Sequence, residues 1–188
     1  MKRIMMAVAV LIVATTALAF TEEGNKRFRE FLNGYKEAPA PISTTGTGSF
    51  HASISKDETE INYELTFANM EGNVTQAHIH IGHPQASGGI VLWLCGSDAL
   101  PGPTGTPRCN ENDPTDNRNG KVSGTLTVAN IIPVAANGIS AGEWDQVLGL
   151  IRAGRTYANV HTSTFGGGEI RSQLDNGDDD SDDHGHKH

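Results

Sequence analysis

His78 and His80 stand two residues apart in Gln76-Ala77-His78-Ile79-His80-Ile81-Gly82. Successive side chains of a strand point to opposite faces, so the two imidazoles share one face and Ile79 and Ile81 the other. A second stretch, Tyr157-Ala158-Asn159-Val160-His161, repeats the alternation and sets Tyr157, Asn159 and His161 on one face. If the two strands meet, within one sheet or across a sandwich, three imidazoles converge. Three nitrogen ligands suit zinc or copper and leave a coordination position open, as catalytic rather than structural sites do. The competing reading is that these histidines are a hydrogen-bonded part of the core. His51 and His83 are expected at the surface, His83 in a loop from which it could reach inward.

Other candidate chemistry is sparser. His184, His186 and His188 follow Asp178, Asp179, Asp180, Asp182 and Asp183 in the C-terminal stretch 175–188. A run so charged cannot bury enough surface to order itself, but its nitrogen and oxygen groups make it a weak, promiscuous metal trap. Glu111, Asp113 and Asp116 lie in a polar turn that lacks the spacing of a calcium loop and reads as solvated. Glu169 and Arg171 flank Ile170 and are expected to pair with each other or with neighbours in structural support. No G-x-S-x-G elbow, P-loop, G-x-G-x-x-G or H-E-x-x-H is present, so the residues imply no reaction.

The elements that must position these residues are mostly strands. Phe50, Ala52 and Ile54 alternate with polar neighbours, as do Ile61, Tyr63, Leu65 and Phe67. Further strands are expected over 75–81, 90–94, 121–128, 156–161 and 169–174, with Gly, Pro, Asn and Asp in the gaps. The pattern predicts an all-β fold, an antiparallel β-sandwich, with one short crossover helix. That helix begins at Ser140-Ala141-Gly142-Glu143, a capping box, and places Trp144, Val147, Leu148 and Ile151 on one apolar face, with Gly154 closing its end.

The first nineteen residues carry Lys2 and Arg3, an apolar run and Ala17-Leu18-Ala19, the marks of a cleaved export signal. Its removal leaves 12 basic against 22 acidic residues over a domain spanning 20–174 and the tail. Such a charge balance excludes nucleic acid as a partner, because phosphate contacts need clustered Lys and Arg. No later stretch is apolar enough to span a membrane, so the product is expected to be secreted or periplasmic, where it would meet an extracytoplasmic protein or a metal ion. Cys95 and Cys109 are the only cysteines, and in an exported chain a disulfide between them is expected to staple the Gly- and Pro-rich loop they bound.

Several blocks together resemble the chordin-type (CHRD) domain family. They are Leu32-Asn-Gly-Tyr-Lys-Glu-Ala-Pro-Ala-Pro-Ile42 with Thr44-Thr-Gly-Thr-Gly48, Ala77-His-Ile-His-Ile-Gly82, Gly88-Gly-Ile-Val91, and Tyr157-Ala-Asn-Val-His-Thr162 with Gly168-Glu-Ile-Arg171. The resemblance implies a β-sandwich, with Phe28–Leu32 as its first strand, in an exported protein with no settled enzymatic activity. It places the family's His-x-His and Asn-x-His-Thr elements on His78, His80 and His161. In chordin itself the domain accompanies binding of secreted signalling proteins, so a partner-binding role is implied too. The His-x-His strand is also similar to that of copper/zinc superoxide dismutases, which makes dismutase-like copper chemistry an alternative. Against it, the only His between Gly82 and Cys109 is His83. A purely structural or adhesive extracellular module is the remaining alternative.

Overall fold

The computed structural model describes residues 26–175. The expected export signal and the tail histidines His184, His186 and His188 lie outside the described residues. Eight strands account for most of the fold: β1 (Arg27–Asn33), β2 (Thr47–Ile54), β3 (Glu60–Ala68), β4 (Val74–Ile81), β5 (Ile90–Gly96), β6 (Gly120–Thr127), β7 (Thr156–Thr162) and β8 (Ile170–Gln173). All pairs are antiparallel, and the order is β5-β4-β7-β8-β1-β2-β3-β6. The expected layers are thus parts of one sheet folded over its core until its edges nearly close. Tyr63 of β3, the strand next to the β6 end, reaches across to the other end, its hydroxyl donating to the Leu94 carbonyl of β5 at 2.6 Å.

Alternation explains which face is inside. Phe50 opposes Leu65 and Leu65 opposes Val122 across β2, β3 and β6, all three buried. Ile79 opposes Leu92 and Ala158 across β5, β4 and β7. These residues belong to one apolar core. The outer face behaves differently in the two halves. On β2 and β3 the outward residues His51, Asn62 and Glu64 are exposed or half-buried, whereas every residue of β7 is buried on both faces. The histidines of β4 and β7 therefore lie on the face opposite the core, beneath loops.

Helix α1 (Trp144–Arg152) buries the expected face of Trp144, Val147, Leu148 and Ile151. Its start departs from expectation. The N-cap is Glu143, and only half of the capping box forms, the Ser140 amide donating to Glu143 Oε2 at 2.5 Å. Gly142 has φ +86°, a left-handed turn that separates Ser140 from the helix and leaves its hydroxyl no N3 amide to cap. A capping box forms instead at Thr127 and Asn130, which ends β6 one residue before the expected Val128. Cys95 and Cys109 are bonded, and the loop they close lies against Trp93, which Gly102 approaches too closely for any side chain at that position.

Candidate metal centre

Three features bring the histidines together. β4 and β7 are neighbours, with His78 opposite Asn159, His80 opposite Tyr157 and His161 opposite Gln76. Directly opposed residues share a face, so the expected face of β4 and the expected face of β7 are one surface. The ligand atoms of His78, His80 and His161 all lie within 4.8 Å of one another, and His80 Nε2 is 3.3 Å from His161 Nε2. Bonds of about 2.0–2.1 Å in a tetrahedral site would separate two nitrogens by about 3.3–3.4 Å. Among the described residues this is the one group of three that could hold a metal ion.

The proton count sharpens the chemistry. His80 Nδ1 is 2.9 Å from the Gly88 carbonyl and His161 Nδ1 is 3.0 Å from the Gly166 carbonyl. Each neutral imidazole has one N–H, so two protons serve three contacts: the two carbonyls and the Nε2–Nε2 approach. With both protons on Nδ1, where carbonyls can accept them, two lone pairs face each other. His78 adds two buried ring nitrogens with no hydrogen-bond partner. Supplying the missing proton would need an imidazolium, which burial disfavours. Burial, then the neighbouring His161 and His80, push His78 down to about 2; burial pushes His80 down to about 4 against the Gly88 carbonyl, and holds His161 below its ordinary value. Fixing Nδ1 and freeing Nε2 is how outer-shell groups orient imidazoles toward a metal.

Aromatic rings wall the cluster. Trp93 meets His78 edge-on at 4.3 Å between centroids, and Tyr157 lies parallel to His80 at 4.9 Å. The loop after β4 is pinned by Tyr157, whose hydroxyl accepts from the Gly88 amide at 3.0 Å. A Cβ on Gly88 would land on the Ile81 carbonyl oxygen. We therefore expect Gly88→Ala to cost about 1–3 kcal/mol, as overpacking does, and to move the His80 Nδ1–H resonance by displacing its acceptor. Chemical denaturation with proton NMR checks both. An unchanged resonance would show that the Gly88 carbonyl does not fix His80.

Beyond the rings, Asn159 donates through Nδ2 to both oxygens of Glu37, at 3.0 and 3.1 Å. Burial raises the Glu37 carboxyl to about 7, although Asn159 and Arg171 pull it down. Gly168, at φ +127°, leaves room for Asn159, whose amide a Cβ there would overlap. Glu169 and Arg171 do not pair with each other. Glu169 bonds to Thr44 and Thr162, and Arg171 lies on Tyr157. His51 and His83 are exposed, as expected, and His83 does not join the cluster. Asp113 and Asp116 are spent on local turns, accepting from Thr115, Arg118 and Asn119. Sequence reasoning missed Glu37, Trp93 and the two carbonyl acceptors. The nearest signal for the last was the Gly88-Gly89 pair: a side chain at Gly88 would meet the Ile81 carbonyl of β4, and one at Gly89 would meet Val134.

The segments that build this centre fall inside a recognised domain, since residues 28–174 match the CHRD domain. The chain belongs to the CHRD domain family. No curated protein and no solved structure matches it. In this CHRD domain the blocks around Thr44–Gly48, Thr162 and Glu169 converge on one buried carboxylate, and those around His78, Gly88 and His161 converge on the imidazole cluster.

Proposed function

We propose that this CHRD protein acts outside the cytoplasm as a module that holds one transition-metal ion, copper or zinc, on His78, His80 and His161. The observation that carries this reading is the unbalanced proton count of a buried cluster, two protons for three contacts plus an unpartnered His78. A cation among the nitrogens removes the conflict. The bonded cysteines suit an oxidising compartment. The family also supports a protein partner in that compartment, to which a metal would contribute by fixing the loops at Gly88 and Gly166.

The test uses the full mature chain with His184, His186 and His188 replaced by Ala, so that the tail cannot contribute. We expect one equivalent of copper or zinc. His78→Ala, His80→Ala and His161→Ala should each weaken binding by more than the roughly 10- to 100-fold typical of losing an outer-shell group. Cu(II) should also quench Trp93 fluorescence, because the indole abuts His78. Protein without stoichiometric metal, or variants with unaltered metal content, would overturn the assignment.

A further inference from the structure

A second site lies beside the cluster and has a different chemistry. A cleft of about 730 Å³ opens between the 34–41 segment, the loop after β4 and β8, within the range of small-molecule sites. Arg171 lines it and is only 1% exposed. Its guanidinium carbon sits 3.4 Å above the Tyr157 ring centroid, and Nη2 donates to the His83 carbonyl at 2.9 Å. Among the described residues that is its one hydrogen bond, so four of five N–H donors are left without a protein acceptor.

The carboxylates nearby do not fill that role. Both oxygens of Glu37 accept from Asn159, while Glu30 accepts from the Ser172 hydroxyl and the Asp175 amide. No ion pair joins Arg171 to either acid among the described residues. Lys36, at the same cleft, spends donors on the Phe31 carbonyl and the Ser172 hydroxyl. Glu30 and Glu37 are thus supplied with donors, and the donor-rich guanidinium is what the protein leaves for a ligand. The walls above it are flat and apolar: Pro39, Pro84 and the three-quarters exposed Tyr35 ring.

We infer that this cleft binds a small organic acid, its carboxylate taken by the Arg171 fork and its planar or aliphatic body resting against Tyr35 and the prolines. A planar guanidinium already stacked on an aromatic face is preorganised for two parallel N–H···O bonds to one carboxylate. The inference does not depend on metal at the histidine cluster.

Benzoate is the probe, added to the full mature protein and followed by the side-chain N–H resonances of arginine. We expect saturable one-to-one binding that shifts the Arg171 Nε–H signal. Benzamide, which has the same ring without the charge, should bind at least about tenfold more weakly, as expected where a charged group loses its bidentate partner. Tyr35→Ala, at a wall position exposed enough not to disturb folding, should weaken benzoate severalfold. Arg171→Lys, which keeps the charge but loses the planar fork, should weaken benzoate and narrow its preference over benzamide. Because that variant alters a buried contact, the wild-type resonance carries the decision if it misfolds. No saturable shift at Arg171, or equal binding of benzamide, would overturn the proposal.

Discussion

Glu169→Ala should destabilise the protein by about 3–5 kcal/mol, as measured by urea unfolding. The Glu169 side chain is fully buried. Its Oε1 accepts from the Thr44 hydroxyl at 2.7 Å and the Glu71 amide at 2.8 Å, and its Oε2 accepts from the Thr162 hydroxyl at 2.6 Å. One carboxylate thus ties the approach to β2, the turn between β3 and β4, and the end of β7. A hydrogen bond to a charged group contributes about 1.5–3 kcal/mol, and a buried donor left without its acceptor costs about 1–3 kcal/mol. Thr44 is only half-buried and Glu71 is exposed, so water can recover part of the loss at those two, which brings the total below the sum of three. Glu169→Gln should fall between, since an amide keeps one acceptor and turns a donor toward the other contact. Thr162→Val combined with Glu169→Gln should cost less than the two changes separately, because they remove the same bond. A loss below about 1 kcal/mol for Glu169→Ala would show that the carboxylate does not hold these segments together.

The shared face of His78 and His80 was legible because strand alternation fixes it whatever the partner strand. His161 was legible only as a conditional: its own alternation put it beside Tyr157 and Asn159, but the pairing of β4 with β7 depends on long-range register, which no local pattern carries. The same gap explains the fold. Alternating strands satisfy a sandwich and a single folded-over sheet equally, and the difference lies in which edges meet, here through the Tyr63–Leu94 contact. The proton deficit could not be read at all, because the groups that set it are the carbonyls of Gly88 and Gly166, and a backbone carbonyl has no residue type. Glu37 was hidden for a related reason, since it reaches Asn159 across 122 positions from a segment without periodicity. The helix shows the opposite error. Its apolar face was correct, but Ser140 and Glu143 match a capping box whose backbone Gly142 does not adopt.

In the absence of metal, the protein should lose stability as the pH falls from about 6.5 toward 5, by on the order of 1 kcal/mol per pH unit. The unfolded chain binds protons on His78 and His80 near the ordinary value of 6.5, whereas the folded chain holds them neutral down to about 2 and about 4. Folded values below unfolded ones mean that the penalty is absent above 6.5 and grows as pH falls, at nearly one proton for each of the two rings at pH 5. His161, also held low, adds in the same direction. Glu37 opposes them. Its folded value of about 7 against 4.5 makes the native state the tighter proton binder between those values, which offsets most of one proton, and Glu30, raised by burial, offsets further. Arg171 and Tyr157 face the same cluster but keep their protons through this range. The histidines therefore outweigh the acids, and the net slope is close to one proton, or about 1.4 kcal/mol per unit at most. Thermal unfolding of chelator-treated protein between pH 5 and 7 measures this slope. His78→Phe, which removes the titrating ring but keeps an aromatic beside Trp93, should flatten it by nearly one proton's worth. A stability that rises on acidification would mean that Glu37 dominates and that the imidazoles are not held neutral. The same experiment with one equivalent of Zn²⁺ should raise the stability across this range with little change of slope, since the native rings are already neutral and the ion displaces few protons from them.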